Sequence, residues 1–159
     1  MRYLSLLLFI FLSCNDSANT ESDKNKDSVD SKTPAMTSGI SGCYLQVMAR
    51  DTFAAQIIQE GNRITGKLTF DNFEKDGSTG TIDGTIENDI IHVHYSFASE
   101  GMNSVMEIYF KAAGDSLIRG IGEMDVKGDS AYFKNSNIQY DGPQVLKKTD
   151  CDKLDEKYK

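Results

Sequence analysis

Residues 81–98 read "TIDGTIENDIIHVHYSFA", and this stretch decides the fold. Ile82, Gly84 and Ile86 alternate with Thr81, Asp83, Thr85 and Glu87. After Asn88-Asp89, Ile91, Val93, Tyr95 and Phe97 alternate with His92, His94 and Ser96. A period of two over four to eight residues is the signature of a strand with one buried face. Two such runs parted by "END" at 87–89 predict a β-hairpin, because Asn and Asp tolerate the backbone of a tight turn.

The same grammar extends in both directions. "RITGKLTF" sets Ile64, Gly66, Leu68 and Phe70 against Arg63, Thr65, Lys67 and Thr69, and in "SVMEIYFK" Met106, Ile108 and Phe110 oppose Glu107, Tyr109 and Lys111. Turn signals punctuate the runs: "EGN" at 60–62, "KDGS" at 75–78, "SEGMN" at 99–103, "AGD" at 113–115 and "KGD" at 127–129. No segment shows sustained helical periodicity. The expected strands are 42–49, 53–59, 63–70, 80–87, 90–98, 104–111, 116–125, 130–134 and 144–148. The expected fold class is all-β, an antiparallel meander of about eight strands closing into a small barrel, with a two-sheet β-sandwich as the alternative. Closure is the simplest way to leave no bare sheet edge. Glycines in apolar rows, Gly66 and Gly84, and Gly120 and Gly122 in the row of Ile118 and Met124, predict sharp curvature or empty interior space.

Ahead of the strands the character differs. All 13 glycines lie at position 39 or later. Residues 15–39 are built from Asn, Asp, Ser, Thr, Glu and Lys, a composition that cannot bury enough surface to offset its ordering entropy. Before that, "LSLLLFIFLSC" follows Arg2 and ends in Ser13-Cys14, an apolar run too short to span a bilayer as a stable helix. It resembles a bacterial lipoprotein signal peptide, which implies cleavage before Cys14 and lipid on its sulfur. The domain expectation is therefore 1–13 signal peptide, 14–39 lipidated Cys14 and disordered tether, 40–151 β-barrel, and 152–159 charged C-terminal tail. The localisation that follows is the cell envelope, lipid-anchored and at the outer membrane, on its periplasmic or surface face.

In that compartment Cys43 and Cys151 are expected to form a disulfide. Cys43 opens the first strand and Cys151 follows the last, and in a closed meander those strands are neighbours. The chain carries 24 acidic against 17 basic residues, a net charge of −7, with Lys147-Lys148 as its notable basic pair. Nucleic acid, whose phosphates need clustered Lys and Arg, is not an expected partner on this balance.

Three stretches carry possible chemistry. "GDSL" at 114–117 spells the motif of a hydrolase group, but a nucleophilic Ser116 needs a base and an orienting acid. In that group the base follows the serine, and here both histidines precede it. A turn followed by a strand is the expectation. His92 and His94 share one strand face and are the metal candidates, with Glu87, Asp89 or a residue of a neighbouring strand as a third ligand. Being on the polar face, they are expected as solvated side chains, with no metal and no cofactor. "DNFEKDGSTG" offers Asp71, Glu74 and Asp76 without calcium-loop spacing and reads as a polar hairpin loop.

Across residues 42–151, "GCYL", "GNRITGKL", "GTIDGTI", "SVMEIYFK" and "GDSLIRGIGEM" resemble small envelope lipoproteins of Gram-negative bacteria, a group with no assigned role, and the architecture is similar to lipocalin-type barrels. The functional expectation is a membrane-anchored, non-catalytic envelope lipoprotein, holding a small apolar ligand or binding an envelope protein. The alternative is a metal-dependent or serine hydrolase using His92 and His94 or Ser116.

Overall fold

The computed structural model describes residues 39–99 and 102–159; the leader, Cys14 and the tether to residue 38 lie outside them. Ten strands follow in order: β1 (Gly42–Met48), β2 (Asp51–Glu60), β3 (Arg63–Asp71), β4 (Ser78–Glu87), β5 (Ile90–Ser99), β6 (Met102–Ala113), β7 (Ser116–Arg119), β8 (Met124–Lys127), β9 (Ser130–Phe133) and β10 (Val145–Thr149). From β1 to β7 each strand pairs antiparallel with the next. β10 then slots between β7 and β1, with Leu146 opposite Leu117 and Lys148 opposite Tyr44. Every one of these eight strands has two neighbours, so the sheet is a closed barrel and not a two-sheet sandwich. The turn between β4 and β5 has Asn88 and Asp89 at φ 48° and 64°, the left-handed pair that suits a two-residue hairpin.

The barrel interior is packed. Tyr44, Ile57, Ile64, Leu68, Ile91, Val93, Tyr95, Ile108, Phe110 and Leu117 are all fully buried in one cluster. Each such side chain contributes about 1.5–3 kcal/mol by leaving water. At one end the filling is aromatic, with Phe53, Phe70 and Tyr95 meeting edge to face and Phe97 stacked on Tyr95. Gly66 and Gly84 lie where the backbone of the neighbouring strand comes close, with no empty interior space beside them. A β-carbon at Gly84 would overlap the His92 carbonyl oxygen and lie 2.7 Å from Val93 Cα, so the adjacent backbone occupies that space.

The expected strand 116–125 is a correction. It breaks after Arg119, and β8 starts a separate hairpin that leaves the barrel wall. Gly120 and Gly122 are where the chain returning from β9 presses close: β-carbons there would sit 2.6 Å from Ile138 Cγ2 and 2.9 Å from the Phe133 ring. The facing is corrected too. Leu117, not Ile118, joins the core, and Arg119 follows it inward. β9 pairs in parallel with β6 at Val105 and Met106, tying the hairpin to the barrel.

Cys43 and Cys151 form the disulfide, with Cα atoms 5.2 Å apart across the seam where β10 meets β1. Beyond it the residues read as a charged tail also pack. Two 3-10 turns, Cys151–Lys153 and Glu156–Tyr158, bury Leu154 and Tyr158 against Cys43 and Ala54 on the outer wall.

Candidate functional site

Ser116 opens β7, after a turn in which Gly114 has φ 57°. Its hydroxyl accepts a hydrogen bond from Lys147 Nζ at 2.8 Å, across the register that pairs the two residues. The histidines lie on β5, with β6 intervening, so no imidazole reaches the serine. The motif is a turn and a strand start, and the Ser-Lys contact is a cross-strand pair on the outer face.

His92 and His94 stand outward on β5, their rings 5.4 Å apart. His92 Nε2 lies 2.7 Å from Glu107 Oε1, and its ring stacks on Tyr109 at 4.2 Å and 3°. The Tyr109 hydroxyl donates to the same Oε1, while Glu107 Oε2 accepts the Phe133 backbone N–H at 2.7 Å. Glu107 thus holds strands β5, β6 and β9 together, with its side chain only 13% exposed. Burial, then the neighbouring Glu107 charge, pushes Tyr109 up to about 12. No group of three or more His, Cys, Asp or Glu side chains among the described residues is arranged to hold a metal ion. Of the expected carboxylates it is neither Glu87 nor Asp89 but a residue of the neighbouring strand, Glu107, that lies beside His92. It was findable, since it faces outward on β6 opposite His94, but only once the β5–β6 register is known.

The acidic loop also has a structural use. Asp71 Oδ2 accepts bonds from Lys157 Nζ at 2.8 Å and the Tyr158 hydroxyl at 2.7 Å, and these hold its carboxyl below the ordinary range. Asp51 Oδ1 accepts the Phe73 N–H. These carboxylates fasten the C-terminal turns and the loop.

An apolar concave surface lies elsewhere, at the mouth of the barrel. A pocket of about 390 Å³ is lined by Met48, Ile121, Met124, Phe133 and Pro143, with Gly120 and Gly122 as its backbone floor and Arg119 and Gln144 as its polar members. Several features build it. β7 ends at Arg119, and the hairpin β8–β9 swings out from the wall, so Met124 and Phe133, paired across that hairpin, form one side. On the other side β10 begins only at Val145. There Gln46 of β1 replaces the missing ladder, its amide donating to Pro143 O at 2.8 Å and accepting from Val145 N at 2.9 Å.

Arg119 is the charged group of this pocket. One guanidinium nitrogen donates to Gln144 Oε1 at 2.7 Å and the other approaches Met106 Sδ at 3.6 Å. The guanidinium carbon lies 4.8 Å from the centre of the Phe70 ring, a cation–π contact that offsets part of its desolvation. Among the described residues no carboxylate pairs with it, and burial lowers its pKa from the ordinary arginine value. An arginine nevertheless remains charged at neutral pH. The sequence signal was present in "SLIRG", a charge two residues from a core leucine, but it was hidden by placing Ile118 on the inner row.

Comparison with family models, curated proteins and solved structures gives no match to this chain. The site therefore stands on its own geometry.

Proposed function

We infer that this is a lipid-anchored envelope protein that binds a small, mainly apolar molecule at the mouth of its barrel, without transforming it. The observation that carries the reading is the pocket beside Met48, Ile121, Met124 and Phe133. Its volume of about 390 Å³ is within the range of small-molecule sites. Its walls are mostly apolar with a few convergent polar groups, the usual make-up of such sites. The interior behind it is filled, so the ligand is held at the mouth, half in the wall.

The anchoring half of the reading rests on Ser13-Cys14 after the apolar run, and the Cys43–Cys151 disulfide supports an oxidising compartment. Lipid on Cys14 would place the pocket near a membrane, where apolar molecules concentrate.

Two measurements test this. Cys14→Ala should leave uncleaved precursor or protein without lipid; a mature N-terminus elsewhere would refute the anchor. The neutral apolar fluorophore N-phenyl-naphthylamine should brighten on the purified wild-type domain. It should lose at least about tenfold in affinity with Ile121→Asp, which sets a charge on an exposed pocket wall without touching the core. Equal binding by both proteins would refute the pocket as the site.

A further inference from the structure

We propose that the pocket ligand is an amphiphile with a single carboxylate, bound with that carboxylate on Arg119 and its apolar body along Ile121, Met124 and Phe133. This rests on the reading of the mouth as a small-molecule site and names what it selects.

A guanidinium has five N–H donors. One of Arg119's is committed to Gln144, and one points at a thioether, a weak acceptor. The remaining N–H groups have no protein acceptor among the described residues; none of Arg119's nitrogens is both buried and unpartnered, so these groups open onto the solvent of the pocket that Arg119 lines. A cation drawn out of water without an opposing charge is costly, and in this site the Phe70 ring face offers only partial relief. The missing partner is an acceptor with negative charge. Arginine meets a carboxylate through two parallel N–H bonds, the strong charge-assisted form.

The neighbourhood narrows the choice. Gln144 gives its oxygen to Arg119, which leaves its amide nitrogen as a second donor on the same wall. A donor set of one guanidinium and one amide carries a single positive charge. That matches a monoanion and leaves a dianionic phosphate monoester half uncompensated. Met48, Ile121, Met124, Phe133 and Pro143 supply no further charge, so the rest of the ligand is hydrocarbon in character. Arg119 reaches inward to Phe70 whereas Ile121 is exposed, so the head group enters first and the chain trails outward.

The test is a matched set of ten-carbon probes, decanoate, decanol and decyl phosphate, titrated by calorimetry below their micelle concentrations. Wild type, Arg119→Gln, Arg119→Lys and Ile121→Asp are compared, with thermal unfolding confirming that each is folded. Wild type should bind decanoate at least about tenfold tighter than decanol, the scale of one charge-assisted pairing. Arg119→Gln should erase that preference, bringing decanoate to the affinity of decanol. Arg119→Lys should keep part of it, since the charge stays and the planar fork is lost. Ile121→Asp should weaken every probe. Decanoate and decanol binding alike, or a preference that survives Arg119→Gln, would refute the carboxylate while leaving the apolar pocket intact. Tighter binding of decyl phosphate than decanoate would replace the head group. If no probe binds, the small-molecule reading of the mouth fails as well.

Discussion

Replacing both bridge cysteines, as Cys43→Ala with Cys151→Ala, should cost about 3–5 kcal/mol and do so mainly through the unfolded chain. The two residues are separated by 108 positions. For a loop of that length the chain-entropy relation gives about 4.7 kcal/mol at 25 °C, an upper figure because unfolded chains are already compact. Losing the buried Cys43 sulfur adds about 0.8 kcal/mol of transfer energy. The native seam does not depend on the bridge for its geometry: Cys43, Tyr44 and Leu45 still pair with Thr149, Lys148 and Lys147, and Leu154 and Tyr158 still dock outside. The melting temperature should fall by about 10–20 °C. Because the bridge brings together the most distant pairing in the barrel, the loss should appear mostly as slower folding. Urea equilibrium curves and stopped-flow kinetics, with chemically reduced wild type as a control, measure both. A loss below about 1 kcal/mol would refute the entropic account. So would a loss confined to faster unfolding, which would mean that the bridge acts through native contacts.

Gly84→Ala should cost about 2–3 kcal/mol, since its β-carbon runs into the backbone of β5. Gly128→Ala, at φ 62° with open space around it, should cost about 1 kcal/mol; equal costs in urea denaturation would contradict the close approach. Tyr44, Tyr95, Tyr109 and Tyr140 are all raised above the ordinary tyrosine value by burial, Tyr109 to about 12. Folding therefore favours their neutral forms. That stability is complete below pH of about 10 and drains away as the pH climbs towards about 12. Tyrosinate absorbance should rise in a late phase that coincides with loss of the β-sheet circular dichroism signal, whereas titration of every tyrosine near pH of about 10 in folded protein would refute it. For the histidines, calorimetry should find no tight Zn²⁺ site, because the Glu107 carboxylate beside His92 is already engaged by Tyr109 and Phe133. Submicromolar affinity abolished by His92→Ala or His94→Ala would overturn this.

Ile82 to Phe97 shows what a sequence can disclose. Long strands with one buried face repeat their signal four or five times, so facing, hairpin and register with the neighbour all follow from local pattern. The disulfide was legible for the same reason, since a meander that closes must place its ends together. β7 shows where local pattern falls short. With four residues flanked by glycines it repeats its signal twice, and Leu117-Ile118 offers two equally apolar faces. The wrong face hid Arg119, the one charge turned inward at the mouth among the described residues. The parallel contact of β9 with β6, and Glu107's bond to Phe133, join residues about 25 positions apart through an excursion that no periodicity encodes. The C-terminal turns are likewise invisible locally. Leu154 and Tyr158 are isolated apolar residues among charges, and only the outer wall at Cys43 and Ala54 gives them a place.

The location of the pocket follows from strand lengths. β6 has twelve residues and pairs with β5 along most of its length, but its other neighbour, β7, has only four. β7 covers Phe110–Ala113, and the remaining edge of β6 back to Met102 would stand open. The parallel contact of β9 at Val105 and Met106 fills part of that edge, and the Gly120 N–H bonds Tyr109 O at the junction. On the far side β10 is also short, and Gln46 spans its missing rung with a side chain. The barrel is thus complete at one end and incomplete at the other, along the β1–β10–β7–β6 arc. Side chains fill an eight-stranded interior, so a gap in the wall is the space such a barrel has left for a ligand. Arg119 and Gln144 are the residue that ends β7 and the residue that precedes β10, the two lips of that gap. A wall shortened by chance would need only apolar or fully paired side chains there. The guanidinium at the lip, with no carboxylate partner among the described residues, is a feature that a shortened wall alone does not require, and it is what the proposed ligand carboxylate would pair with.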